Sequence, residues 1–167
     1  MSDPKYILDA NVFIEAHKHY YAFDVAPGFW KHIMQYAEKG NVFSIDRVHD
    51  ELKLGKDELL DWVGKYFIGA FISTNEVEVI EAYREIMKWV NDQKQFAASA
   101  KAEFAGASAA DGWLVACAKA KGYVVVTLEK PVVIESSKIK IPNICESFGV
   151  PYINTFDMLR RLGVRWE

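Results

Sequence analysis

The chain has 167 residues, 51% of them apolar and 26% charged, with a formal net charge of −3. That is ordinary globular composition at the length of one domain, taken here as residues 1–167, and it excludes a low-complexity or disordered chain. The acidic balance disfavours broad electrostatic gripping of duplex DNA, and no apolar run approaches the roughly 18 residues that a membrane helix needs.

The start, "MSDPKY", lacks a basic stretch followed by an apolar run, so no signal peptide is expected. The cysteines, Cys117 and Cys145, are far apart in sequence and match no metal spacing, which suits reduced thiols in a cytoplasmic protein. No contact with a membrane is expected.

Tyr6, Ile7 and Leu8 read as a short strand, and Asp9 closes it. A carboxylate at the end of a buried run is costly unless something pairs with it. Either Asp9 caps a turn or helix, or it awaits a cation. The stretch "NVFIEAHKHY" that follows is expected to be helical. A second helix lies in "DVAPGFWKHIMQYAEKGN", with Pro27 near its start and Gly40 as its stop. "NVFSID" is a short second strand. "RVHDELKLG" forms one or two helical turns, and "KDELLDWVGKYF" a further helix with Leu59, Leu60, Trp62, Val63 and Tyr66 on its apolar face.

"NEVEVIEAYREIMKWVND" is the longest helix, with Val77, Ile80, Tyr83, Met87 and Val90 expected along one side. "QKQFAASAKAEFAGAS" is rich in small residues and poorly patterned, and reads as a helical turn and a loop. "AADGWLVACAKAKG" is a helix stopped by Gly122. "YVVVT" is a wholly apolar strand of the kind found inside parallel sheets. "IPNICESFG" is a short helix, "PYINT" a last strand and "FDMLRRLG" a last helix. Strands alternating with helices imply right-handed crossovers and an α/β fold: a three-layer α/β/α sandwich around a mainly parallel sheet of four or five strands. In such sheets the working site lies at the carboxyl ends of the strands.

Acidic residues recur there. Asp9 ends the first strand, Glu51 lies one helical turn past the second, Asp111 opens its helix, and Glu129 follows "VVV" by two residues after Thr127. Together they would repel one another, and hard divalent cations, Mg²⁺ or Mn²⁺, would remove that repulsion through all-oxygen ligation. Asn11 and Thr127 stand beside two of them and would supply a neutral oxygen or orient a ligand by hydrogen bonding. Each residue also has a plainer reading. Asp9, Asp111 and Thr127 suit helix capping, Glu51 a solvated helix face, and Glu129 a loop charge.

"YILDANVFI", "VHDELK" and above all "AADGWLVACAKAKGYVVVTLE" resemble the acidic motifs of PIN-domain ribonucleases, including VapC-type toxins. The resemblance spans nearly the whole chain. It carries Asp9, Glu51 and Asp111 onto the three principal acidic positions and Glu129 onto the fourth, where the family usually shows aspartate. The tail "KIKIPNICESFGVPYINTFDMLRRLG" and the long central helix look more like a little-characterised PIN-like branch than a minimal toxin. The resemblance implies a PIN-like fold and metal-dependent hydrolysis of RNA, in which divalent metals activate water and stabilise the leaving 3′ oxygen. It also implies the toxin of a toxin–antitoxin pair, with an antitoxin protein as partner, a homodimer, and single-stranded or looped RNA as substrate. Trp62, Tyr66 and Trp113 are candidates for stacking on bases, against core packing.

The alternative is a catalytically inactive PIN-like module that binds RNA or protein. A haloacid-dehalogenase-type phosphatase would need a second aspartate where Asn11 stands. A receiver domain would need an acidic pair ahead of its phosphorylated aspartate. His17 and His19, two residues apart, point to different faces of a helix and make a poor metal site.

Overall fold

The computed structural model describes residues 3–94, 96–106, 109–131 and 139–166. Gln95, Ala107 and Ser108 of the small-residue stretch and Lys138 of the tail motif lie outside them. Five short strands, β1 (Tyr6–Leu8), β2 (Val42–Ile45), β3 (Phe71–Ile72), β4 (Val124–Val126) and β5 (Tyr152–Ile153), form one sheet in the order β3-β2-β1-β4-β5. Every pairing is parallel. Helices flank the sheet, which gives the expected α/β sandwich. No helix among the described residues is long and apolar enough to cross a membrane.

β1 is the central strand. Tyr6 pairs with Val42 on one side and Val124 on the other, and Tyr6, Ile7 and Leu8 are all buried. A strand covered on both faces needs apolar residues at every position, which explains the unbroken runs in β1 and β4. The chain steps from β1 outward to β2 and β3, then returns to the far side of β1 for β4 and β5. The carboxyl ends of β1 and β4 therefore flank the point where strand order reverses, the crevice where ligands bind in open α/β sheets.

The helices are α1 (Ala10–Glu15), α2 (Pro27–Glu38), α3 (Asp46–Lys53), α4 (Glu58–Tyr66), α5 (Val77–Asp92), α6 (Ala98–Phe104), α7 (Asp111–Lys121), α8 (Ile141–Phe148) and α9 (Thr155–Arg161). α1 runs on into a π-helical turn at Ala16–Tyr20, and a 3₁₀ turn at Ile68–Ala70 leads into β3. Four expectations change. The strand β3 was not foreseen: its two residues are too few for any period to show. The small-residue stretch holds a full helix, α6, anchored by buried Ala100 and Phe104. On α5 the buried residues are Val79, Ala82, Ile86 and Val90, while Val77 is 72% exposed. Tyr83 and Met87 only border the core. α5 turns Val79, Ala82, Ile86 and Val90 to the core, and Tyr83, at the border of that face, stacks on Trp113 of α7 at 3.8 Å. On α4, Leu59 and Val63 are buried, while Tyr66 is 42% exposed.

Gly112, next to Asp111, is where α5 and α6 press closest on α7. A Cβ there would stand 3.1 Å from Phe104 Cε1 and Cζ and from Tyr83 Cε2. Tyr83 is stacked on Trp113 and Phe104 is buried, and both rings would have to give by a few tenths of an ångström. We expect Gly112→Ala to lower stability by about 1 kcal/mol, an overpacking cost, in chemical denaturation. Unchanged or raised stability would show that the two rings move freely.

Candidate active site at the sheet switch point

The site begins with Asp9. It occupies the N-cap position of α1, in extended backbone, and its carbonyl accepts from Val12 N at 3.1 Å. Its carboxylate makes no capping hydrogen bond. Instead Oδ2 accepts from the hydroxyl of Thr127 at 2.9 Å, across from β1 to the end of β4. Thr127 Oγ1 in turn accepts from Glu129 N at 3.1 Å and weakly from Asn11 Nδ2 at 3.5 Å. Asn11 Oδ1 accepts from Leu128 N at 3.2 Å. Asn11 and Thr127 thus stitch the ends of β1 and β4 together and aim one hydroxyl at Asp9, which is 4% exposed.

Glu51 from α3, Asp111 from the first turn of α7 and Glu129 from the loop after β4 line one cavity of about 310 Å³. Asp9 does not line it but lies within electrostatic reach of all three. Asp111 makes no cap hydrogen bond either, since Ala110 holds the N-cap position. Glu129 is partly committed: its Oε2 accepts from Ile141 N, the first amide of α8, at 2.8 Å. Two lining residues were missed in the sequence, Glu103 of α6 and Lys140, which precedes α8. Glu103 sat in the stretch read as mostly loop. Lys140 had a usable signal, because a helix that follows a parallel strand begins at the carboxyl edge of the sheet.

Electrostatics mark the site as strained. Burial, followed by the charges of Asp111 and Glu129, holds the Asp9 carboxyl well above the usual carboxylate range; Thr127 opposes this and Glu51 adds to it. Burial and then Glu129 and Glu51 push Asp111 up to about 7, with Lys140 working against them and Glu103 with them. Glu51 is raised by burial and by Glu129.

In kind, the donors suit a hard divalent cation: carboxylate oxygens, a neutral hydroxyl in support, and an excess of negative charge that a cation would relieve. In position they stand apart. Among the described residues no three Asp, Glu, His or Cys side chains converge closely enough to hold an ion. The Glu129 carboxylate is directed to Ile141 N at the start of α8.

The other candidates lie elsewhere. His19 bonds Glu15 at 2.6 Å, His17 faces Asp57 and Glu58, His32 bonds the Gly28 carbonyl, and His49 stacks on Phe71. Trp62 packs in an aromatic cluster with Trp30 at 4.8 Å. Trp113 is sandwiched between Tyr83 and the Arg47 guanidinium. Both cysteines are buried and free, and burial pushes each thiol up to about 12.

The family model Domain of unknown function (DUF4411) matches residues 6–166. The chain belongs to that family. None of the curated proteins compared with it matches. The crystal structure of VapBC2 from Rickettsia felis bound to a DNA fragment from their promoter contains a chain similar in fold. The match covers 89% of this chain and 97% of that one, with a TM-score of 0.52 and 14% sequence identity. At that identity the likeness speaks for the fold, and it agrees with the PIN-like architecture.

The raised carboxyls give a pH signature. The folded state binds protons more tightly than the unfolded chain between the ordinary aspartate value of 3.8 and about 7. Their contribution to stability is therefore complete below the unfolded value and is lost as pH rises through the folded one. Metal-free protein should melt at a higher temperature near pH 5 than near pH 8, and Asp111→Asn should flatten that slope. Thermal melts in chelator across this range check it, and a slope identical in Asp111→Asn would contradict it.

Proposed function

We propose that this protein is a divalent-metal-dependent endoribonuclease, the toxin of a toxin–antitoxin pair whose partner is an antitoxin protein, acting on single-stranded or looped RNA. The observation that supports it most is Asp9: a buried carboxylate with a single hydroxyl for support, crowded by three more carboxylates at the switch point of the sheet. A purely structural acid at this edge looks different. Asp46, which opens α3, accepts from Arg47 N, Thr74 N and Thr74 Oγ1. Asp9 is left with capacity to bind. The fold shared with a chain of a VapBC2 complex agrees with this reading.

Asp9 and Asp111 would be the central ligands of Mg²⁺ or Mn²⁺, with Glu51 and Glu129 at the periphery. When bound, the cation supplies a nucleophile from water at neutral pH and stabilises negative charge on the leaving oxygen. The chain's part is to orient the ligands. Thr127 donates to one Asp9 oxygen and leaves the other free. Asn11 fixes the Thr127 loop, and burial beneath the cavity limits water around Asp9. In-line attack at phosphorus would break the bond to the 3′ oxygen and leave a 5′ phosphate and a 3′ hydroxyl.

An inactive binding module is favoured by one observation, the use of the Glu129 carboxylate by Ile141 N. Mutants separate the readings. With Mn²⁺ and single-stranded RNA, Asp9→Asn should cut at least roughly a hundredfold more slowly than wild type, as expected when a ligand to a catalytic metal is lost. Glu129→Gln should be milder. Mn²⁺ should raise the melting temperature of wild type, and less so that of Asp111→Asn, since a ligand that binds only the folded state stabilises by mass action. Equal cutting by Asp9→Asn, with contaminating nuclease excluded, overturns the proposal.

A further inference from the structure

Among the described residues lining the acidic cavity, Lys140 is the single cation. Its backbone is tightly placed. The Lys140 carbonyl accepts from Asn143 N at 3.1 Å and Ile144 N at 3.4 Å, as the N-cap residue of α8. The next amide, Ile141 N, donates to Glu129 at 2.8 Å. Glu129 thus acts as a latch that pins the start of α8, and Lys140 with it, against the loop after β4. The side chain is not spent: none of the hydrogen bonds or ion pairs among the described residues involves its amine. Other lysines with nearby acids do pair, Lys121 with Glu76 at 2.8 Å and Lys119 with Glu85 at 3.0 Å. Lys140 nevertheless works on the site, since its charge eases the ionisation of Asp111.

An ammonium on the wall of an anionic cavity, unpaired among the described residues, has two consequences. It relieves part of the repulsion among the carboxylates. It also offers a positive contact to an anion that must enter a pocket of carboxylates. We propose that Lys140 binds a non-bridging oxygen of an RNA phosphate at the cavity, as a substrate-binding residue held in place by the Glu129 latch on α8. This rests on the nuclease reading for its substrate and deepens it by naming the group that admits the phosphate.

Lys140 repels a metal and attracts RNA, so its removal should move two affinities in opposite directions. A merely structural lysine would not do so. In Lys140→Met, Mn²⁺ alone should bind roughly threefold more tightly by calorimetry, because a neighbouring positive charge is gone. A labelled single-stranded RNA, titrated with Ca²⁺ in place of Mn²⁺, should bind about tenfold more weakly, the size of one charge-assisted hydrogen bond. The dependence of its log affinity on log salt should become shallower by about 0.7, the share of one phosphate contact on a single strand. Lys140→Arg should restore the salt slope and the Mn²⁺ affinity. Lys140→Gln, which keeps a polar side chain, replaces the methionine variant should that one unfold. Unchanged Mn²⁺ affinity, or unchanged RNA affinity and slope, overturns the inference. If wild type binds RNA through Lys140 yet never cuts it, this inference stands and the nuclease reading falls. If Lys140→Met cuts with the KM of wild type, the nuclease reading stands and this one falls. Wild type that neither binds nor cuts RNA overturns both.

Discussion

The crowding of carboxylates around a buried Asp9 is the constraint to which the rest of this edge of the molecule answers. Taking one carboxylate from water is costly, and placing three more within its field raises that cost further. The chain does not remove the conflict by pairing Asp9 with an arginine or lysine. It supplies a hydroxyl from Thr127, which supports the charge without neutralising it, and it ties Thr127 down through Asn11 and the Glu129 amide. Such an arrangement is poor for stability.

The parallel sheet explains why these residues meet. β1 and β4 are neighbours in space although 116 residues separate Asn11 from Thr127. Their carboxyl ends face the same edge because every strand runs the same way. β2 ends at that edge too, and Asp46 follows it. There the chain spends the acid on structure, with Thr74 and the Arg47 amide satisfying it and fixing the segment that follows β3. Two aspartates in equivalent places, one accepting from three donors and one from a single hydroxyl, show that position at the sheet edge does not by itself decide how an acid is satisfied.

What could be read from the sequence follows the same physics. β1 and β4 were legible because strands buried on both faces must be apolar throughout, and α2 and α7 because Pro27 and Gly122 mark a helix start and a stop; Gly122 adopts φ 74°. The strand-end rule leads from sequence to Asp9, Glu51, Asp111 and Glu129, three of which the fold gathers on one cavity with Asp9 buried beside it. β3 was illegible because its placement comes from β2, through the pairing of Ser44 with Phe71, and not from its own pattern. The buried face of α5 was misjudged because sequence shows which residues are apolar but not which neighbour they meet. Val77 and Val79 are equally apolar, and only the docking of α5 on α7 decides between them.

The glutamate at position 129, where the resemblance leads one to expect aspartate, has a physical account. Residue 129 does two things at once: its amide donates to Thr127, and its carboxylate reaches the first amide of α8. Helix N-termini carry unsatisfied amides and partial positive charge, so a carboxylate there is favourable. Ile141 N, the first amide of α8, has no intrahelical acceptor and needs a partner from outside the helix. An aspartate anchored by the same amide would fall a methylene short of it. The longer side chain therefore joins the loop after β4 to the start of α8, beside Lys140 on the lining of the cavity.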